Sequence, residues 1–221
     1  MEATHGVSPA TIPADHPGIN ELFALLAYGE VAAFYRLTEE ARMAPDLRGK
    51  INMARMAASE MGHYELLSAT LESRGVDVLP AITGYAPALE KYHRLTMPST
   101  WLEALVKTYV GDAMAADLYL AIAGSLPPDI AEVVRAVLAE TAQSQFVVAE
   151  VRSASGRQRN RLALWSRRLL GEAITQAQYV LADHDELVDL VLAGGGLGQL
   201  TDLYDRLQRT HSDRMAQLGL A

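Results

Sequence analysis

Six polar residues fall where helical spacing predicts buried apolar stripes. In "ASEMGHYELL" (58–67), Glu60 and His63 lie three apart. They share a face with Met53, Met56, Ala57, Tyr64 and Leu67, because steps of three and four return to one side of an α-helix. Glu30 interrupts the stripe Ile19, Phe23, Leu26, Ala33, Phe34, Leu37. Glu140 and Gln143 interrupt Val133, Ala136, Val137, Val147, Val151. Two stripes compete in 101–123. Asp112 lies with Trp101, Leu105, Tyr109, Ala116 and Tyr119, whereas Asp117 lies with Val106, Val110, Ala113 and Leu120.

Several carboxylates at one level of a core cannot all ionise unaided, because desolvation and mutual repulsion both oppose charge. Divalent metals remove both penalties. Carboxylates chelate and bridge, and an imidazole completes a shell suited to iron or manganese. The competing reading neutralises the acids by protonation or by core arginines. Arg55 and Arg135 are the nearest arginines, and both fall off these stripes.

The elements that must position these groups are helices. Ala, Leu, Met, Glu and Arg dominate, apolar residues recur at three and four, and period-two runs are scarce. The pattern predicts helices over 19–43, 47–74, 101–123, 130–153 and 157–182, with a C-terminal pair ending near Leu218. "APD" (44–46) and "GSLPPD" (124–129) are tight turns. Between the two hairpins lies a connection of about 25 residues (75–100), with three prolines and a short helix expected over 87–94. "GGGLG" (194–198) reads as a hinge or helix cap, since no strand precedes it. Residues 1–17 read as a tail and 18–221 as one all-α domain, a four-helix bundle (18–154) with one long crossover plus additional helices (157–218).

Levels in the hairpins choose among the acids. Glu30 and Glu60 stand equally far from the turn near residue 45. Asp112 and Glu140 stand equally far from the turn near 126–127, while Asp117 is out of level by about 6 Å at the helical rise. Glu30, Glu60 and His63 of the first hairpin thus correspond to Asp112, Glu140 and Gln143 of the second.

The stretches "LLAYGEVAAFYRL", "AASEMGHYELL", "LVKTYVGDAMAADLY" and "LAETAQSQFVVAEVR" resemble the ferritin-like di-iron carboxylate family across roughly residues 18–183. Within it they are similar to the branch named for the tRNA hydroxylase that acts on 2-methylthio-N6-isopentenyl-adenosine. The resemblance implies a ferritin-like bundle with two irons. One carboxylate comes from each of the first and third helices, and Glu-x-x-His from each of the second and fourth. Glu30, Glu60, His63 and Glu140 match. Asp112 stands where the pattern has Glu, and Gln143 stands where it has His, so the second metal position departs from the family. Manganese and zinc are alternatives to iron. Asp117, Tyr64, Tyr109 and Tyr119 are candidates for supporting the ligands, with ordinary packed core residues as the alternative.

Three function classes follow: an oxygen-dependent di-iron monooxygenase of the tRNA-hydroxylase kind, a metal-binding or peroxide-handling ferritin relative, and a helical interaction protein with a vestigial site. The chain has no cysteine, which excludes thiolate metal sites, thiol nucleophiles and an iron–sulfur centre. An oxygenase would therefore need an external electron donor. The net charge is −8, yet 152–168 holds six arginines and no acid. Arg157, Arg159, Arg161, Arg167 and Arg168 are the candidate RNA contacts, with tRNA as the partner. The alternative is a solvated helix start. No run reaches membrane-span length and the first residues lack a secretory signal. A cytoplasmic protein is expected, with a homodimer as its assembly.

Overall fold

The computed structural model describes residues 12–138, 144–193 and 196–221. Ten α-helices and no strand occur among them. The helices are α1 (Pro17–Glu40), α2 (Leu47–Ser73), α3 (Val78–Thr83), α4 (Ala86–Leu95), α5 (Trp101–Ala123), α6 (Pro128–Val137), α7 (Ser144–Arg152), α8 (Gly156–Asp183), α9 (Asp185–Ala193) and α10 (Gly196–Leu218). The chain is all-α, as the composition predicts.

Local chemistry sets the helix ends. His16 Nδ1 accepts from Gly18 N–H, and Asp46 Oδ1 accepts from Gly49 N–H at 2.8 Å, so both start with a side-chain cap. At the head of α5, Ser99 N–H donates to Glu103 Oε2 at 2.7 Å while Glu103 N–H donates to Thr100 Oγ1. That reciprocal pair satisfies donors the helix cannot satisfy itself. Gly75, at φ 77°, ends α2 in the left-handed conformation that glycine adopts without a Cβ penalty.

The longest helix contact is α1 against α2, joined by a turn at 41–46. Helix α8 packs on α5 and α4, and α9 packs on α1. At the α1–α9 crossing the backbones nearly touch. A Cβ on Gly18 would lie 2.2 Å from the Glu186 carbonyl oxygen, so only glycine fits.

Two apolar layers result. One gathers Ile19, Leu22, Phe23, Leu67, Leu71 and Val134, and the other gathers Leu37, Met53, Leu105, Val110, Val151 and Leu169. Each fully buried leucine contributes about 1.5–3 kcal/mol relative to exposure. Along α1, α2 and α5 the layers leave a band between them, at 30–36, 60–63 and 112–119. The polar residues singled out on these helices lie there.

The connection between hairpins differs from the expected single helix. Residues 78–83 form a helix too, with Pro80 in its first turn, where a missing N–H costs nothing. The expected fourth helix is described as two segments, α6 and α7. Residues 139–143, which carry Glu140 and Gln143, lie outside the described residues, as do residues 194 and 195 of the glycine cluster. On α6 the buried face is Ile130, Val134 and Val137, while Ala136 is exposed, so the stripe drawn through Val133 and Ala136 is rotated from the real one. The helix puts its large branched residues inward in preference to alanine.

Candidate metal centre

Glu30 of α1 meets Glu60 and His63 of α2 in the band between the layers. One carboxylate oxygen from each acid and one His63 ring nitrogen lie within 4.8 Å of one another. His63 Nδ1 is 3.5 Å from Glu30 Oε2 and 3.3 Å from Glu60 Oε2. Both are ion-pair distances, and buried Nδ1 makes no hydrogen bond of regular geometry. A nitrogen that stands between two carboxylate oxygens fits a position where a cation could replace its proton.

Burial and neighbours divide the protons in this group. Burial raises the Glu30 carboxyl to about 8, only partly opposed by His63. Burial also acts upward on Glu60, but contacts with His63 and Glu30 outweigh it and its pKa falls. The two carboxylates, Glu30 first, raise His63 to about 10. Without metal the three groups thus share protons: Glu60 favours the ionised form, while Glu30 and His63 are both shifted toward the protonated form. Three donors of this kind, two oxygens and one imidazole, suit iron, manganese or zinc.

The group opens on a cavity of about 660 Å³. Its walls are largely aliphatic, including Leu22, Leu26, Met56, Met114, Val147 and Val180. Tyr119 also lines it, and burial raises its phenol above the ordinary range.

Asp112 lines the same cavity but has a partner of another kind. Arg36 Nη2 donates to Asp112 Oδ1 at 2.9 Å. The Asp112 side chain is 45 % accessible, and that surface opens on the cavity. Separation from bulk water raises its carboxyl to about 7 although Arg36 pulls the other way. Arg36 Nη1 also donates to Glu40 Oε2 at 3.2 Å and Thr108 Oγ1 at 2.9 Å. Lys107 Nζ stands 3.8 Å from Glu40 Oε1. Burial lowers Lys107 to about 8 and His93 to about 2, so His93 is neutral. Arg36, Glu40 and Lys107 are buried and escaped the sequence reading. Arg55 and Arg135, its core-arginine candidates, are exposed. The missed signal was Glu40, three past Leu37 on the stripe of Glu30 and four past Arg36.

Asp117 is held elsewhere. Arg214 of α10 grips both its oxygens at 2.6 and 2.8 Å, and Thr210 donates to it at 2.7 Å. Tyr109 donates to Gln217 Oε1 at 2.6 Å. Tyr64 packs against the first apolar layer. Arg157, Arg159, Arg161, Arg167 and Arg168 are all exposed on α8. Among the described residues no helix is long and apolar enough to cross a membrane.

The family model described as a ferritin-like domain of actinomycetes matches residues 15–194. That span contains every acid and the histidine described above. No curated protein matches the chain.

Proposed function

The chain belongs to the ferritin-like domain family of actinomycetes, and on that premise we propose that it is a metal-dependent oxidoreductase acting on a small apolar group. Glu30, Glu60 and His63 would hold a divalent metal at the wall of the cavity. One observation carries this reading: two carboxylates and an imidazole nitrogen converge within 4.8 Å of one another on a mostly apolar chamber.

Iron is the first candidate, with manganese or zinc as alternatives. Bound iron would supply the activation of dioxygen. The rest falls to the chain. Glu30 and His63 give up their protons to become ligands, and with Glu60 they balance a dication. Leu22, Leu26, Met56 and Met114 exclude water and accept an apolar group. The fixed α1–α2 pairing holds the donors at their separation before a metal arrives, which lowers the cost of binding. Electrons must come from a separate donor, since the chain holds no cysteine for an iron–sulfur centre.

Loading with iron(II), adding a chemical reductant and following dioxygen tests the reading. Uptake in the wild type and its loss in His63→Ala support it, and equal rates in both refute it. Consumption of peroxide without dioxygen uptake favours the peroxide-handling alternative.

The exposed arginines support a second reading, in which the apolar group sits on a tRNA base, as the resemblance to the hydroxylase branch implies. Three of the five already have partners. Arg159 donates to Ala154 O, Arg161 stands 3.7 Å from Glu103, and Arg168 donates to Leu95 O. Binding of tRNA that weakens steeply with salt supports this reading, because phosphate contacts release counterions. Absence of binding at low salt removes it.

A further inference from the structure

A guanidinium holds Asp112, the carboxylate that α5 brings to the cavity wall. Arg36 donates to Asp112 through Nη2 and to Glu40 and Thr108 through Nη1. Its side chain is 6 % exposed, as is that of Glu40. Asp112 does not belong to the group of donors that lie within 4.8 Å of one another, although it feels the charge of Glu60.

We propose that the centre takes one divalent metal per chain, and that the Arg36 guanidinium occupies the electrostatic place of the second. This rests on the metal reading of Glu30, Glu60 and His63. Arg36 and Lys107 already match Glu40 and Asp112 in formal charge before any metal enters. A dication at Asp112 would have to share a carboxylate with a guanidinium that already sits 2.9 Å from Oδ1, and the two cations repel at that range. Arginine has no neutral form at accessible pH, so the guanidinium cannot yield by losing a proton. Nor is it free to swing away, because three partners on α1 and α5 fix its fork. On this proposal the chain departs from the two-metal pattern that the resemblance implies. The polar band is kept, but one of its two cations is covalently part of the chain.

The test counts manganese bound to the full chain after loading with Mn²⁺ and dialysis, by elemental analysis. Wild type should bind one per chain. Asp112→Asn should still bind one, because Asp112 is not among the donors to that metal. Arg36→Met keeps the stem but leaves Glu40 and Asp112 without their main cation, and should bind two. Two metals in the wild type would overturn the proposal, as would loss of metal in Asp112→Asn, or one metal in folded Arg36→Met. Should Arg36→Met not fold, the first two proteins decide. No metal in the wild type would overturn the metal centre itself, a distinguishable result.

Discussion

Glu30 and His63 face each other across the α1–α2 pair, with Oε2 and Nδ1 3.5 Å apart. Without metal this contact retains protons at neutral pH, because Glu30 is raised to about 8 and His63 to about 10. Metal binding must expel them. Calorimetry at pH 7 in buffers of different ionisation enthalpy should therefore report release of about one to two protons per metal, with affinity rising as pH rises toward 8. Release near zero would show that the pair is not the ligand set.

The same shifts fix the sign for the metal-free fold. Both groups bind protons more tightly folded than unfolded. Their contribution is present at low pH. It is lost as pH rises from about 4.5 through 8 for Glu30, and from about 6.5 through 10 for His63. The melting temperature of metal-free protein should fall between pH 6 and 9, and His63→Ala should flatten that fall. Stabilisation by added metal should grow over the same interval.

Asp117 ties two helices together. Its carboxylate is gripped at both oxygens by Arg214, which fastens α10 to α5. The pair is partly exposed, so Asp117→Ala should cost only about 1–2 kcal/mol, read by urea unfolding. Bound manganese should not change. Loss of metal in this variant would return Asp117 to the centre.

Two glycines should respond in opposite directions to alanine. Gly18→Ala puts a methyl 2.2 Å from the Glu186 carbonyl, and separating α1 from α9 should cost about 1–3 kcal/mol. Gly171, inside α8, has nothing within 4 Å of its added Cβ. There alanine should stabilise by about 0.5–1 kcal/mol through helix propensity. Thermal unfolding of both variants checks the pair.

The helices and the first-hairpin site were legible because polar residues interrupt regular apolar spacing. Glu30, Glu60 and His63 stand out for that reason, and levelling brought them together before any coordinates. Arg36 was not legible in the same way. It lies off the Glu30 stripe, and a lone arginine beside an apolar face usually reaches water. Only the approach of α5, bringing Asp112 and Thr108, gives it buried partners. Lys107 was hidden differently. Residues 103–108 of α5 are buried all round, so no stripe marks one position as unusual. On α6 the periodicity is present, but an apolar stripe does not distinguish alanine from valine, and the face it gives is one step round from the buried one.

A metal held by Glu30, Glu60 and His63 would have a direct crystallographic signature. Anomalous diffraction from crystals grown with Mn²⁺, recorded at the manganese edge, tests it most directly. One strong peak per chain is predicted, about 2.0–2.3 Å from a Glu30 oxygen, a Glu60 oxygen and His63 Nδ1. Crystals that show no peak between these three side chains at saturating manganese, or whose main peak lies elsewhere, would contradict it.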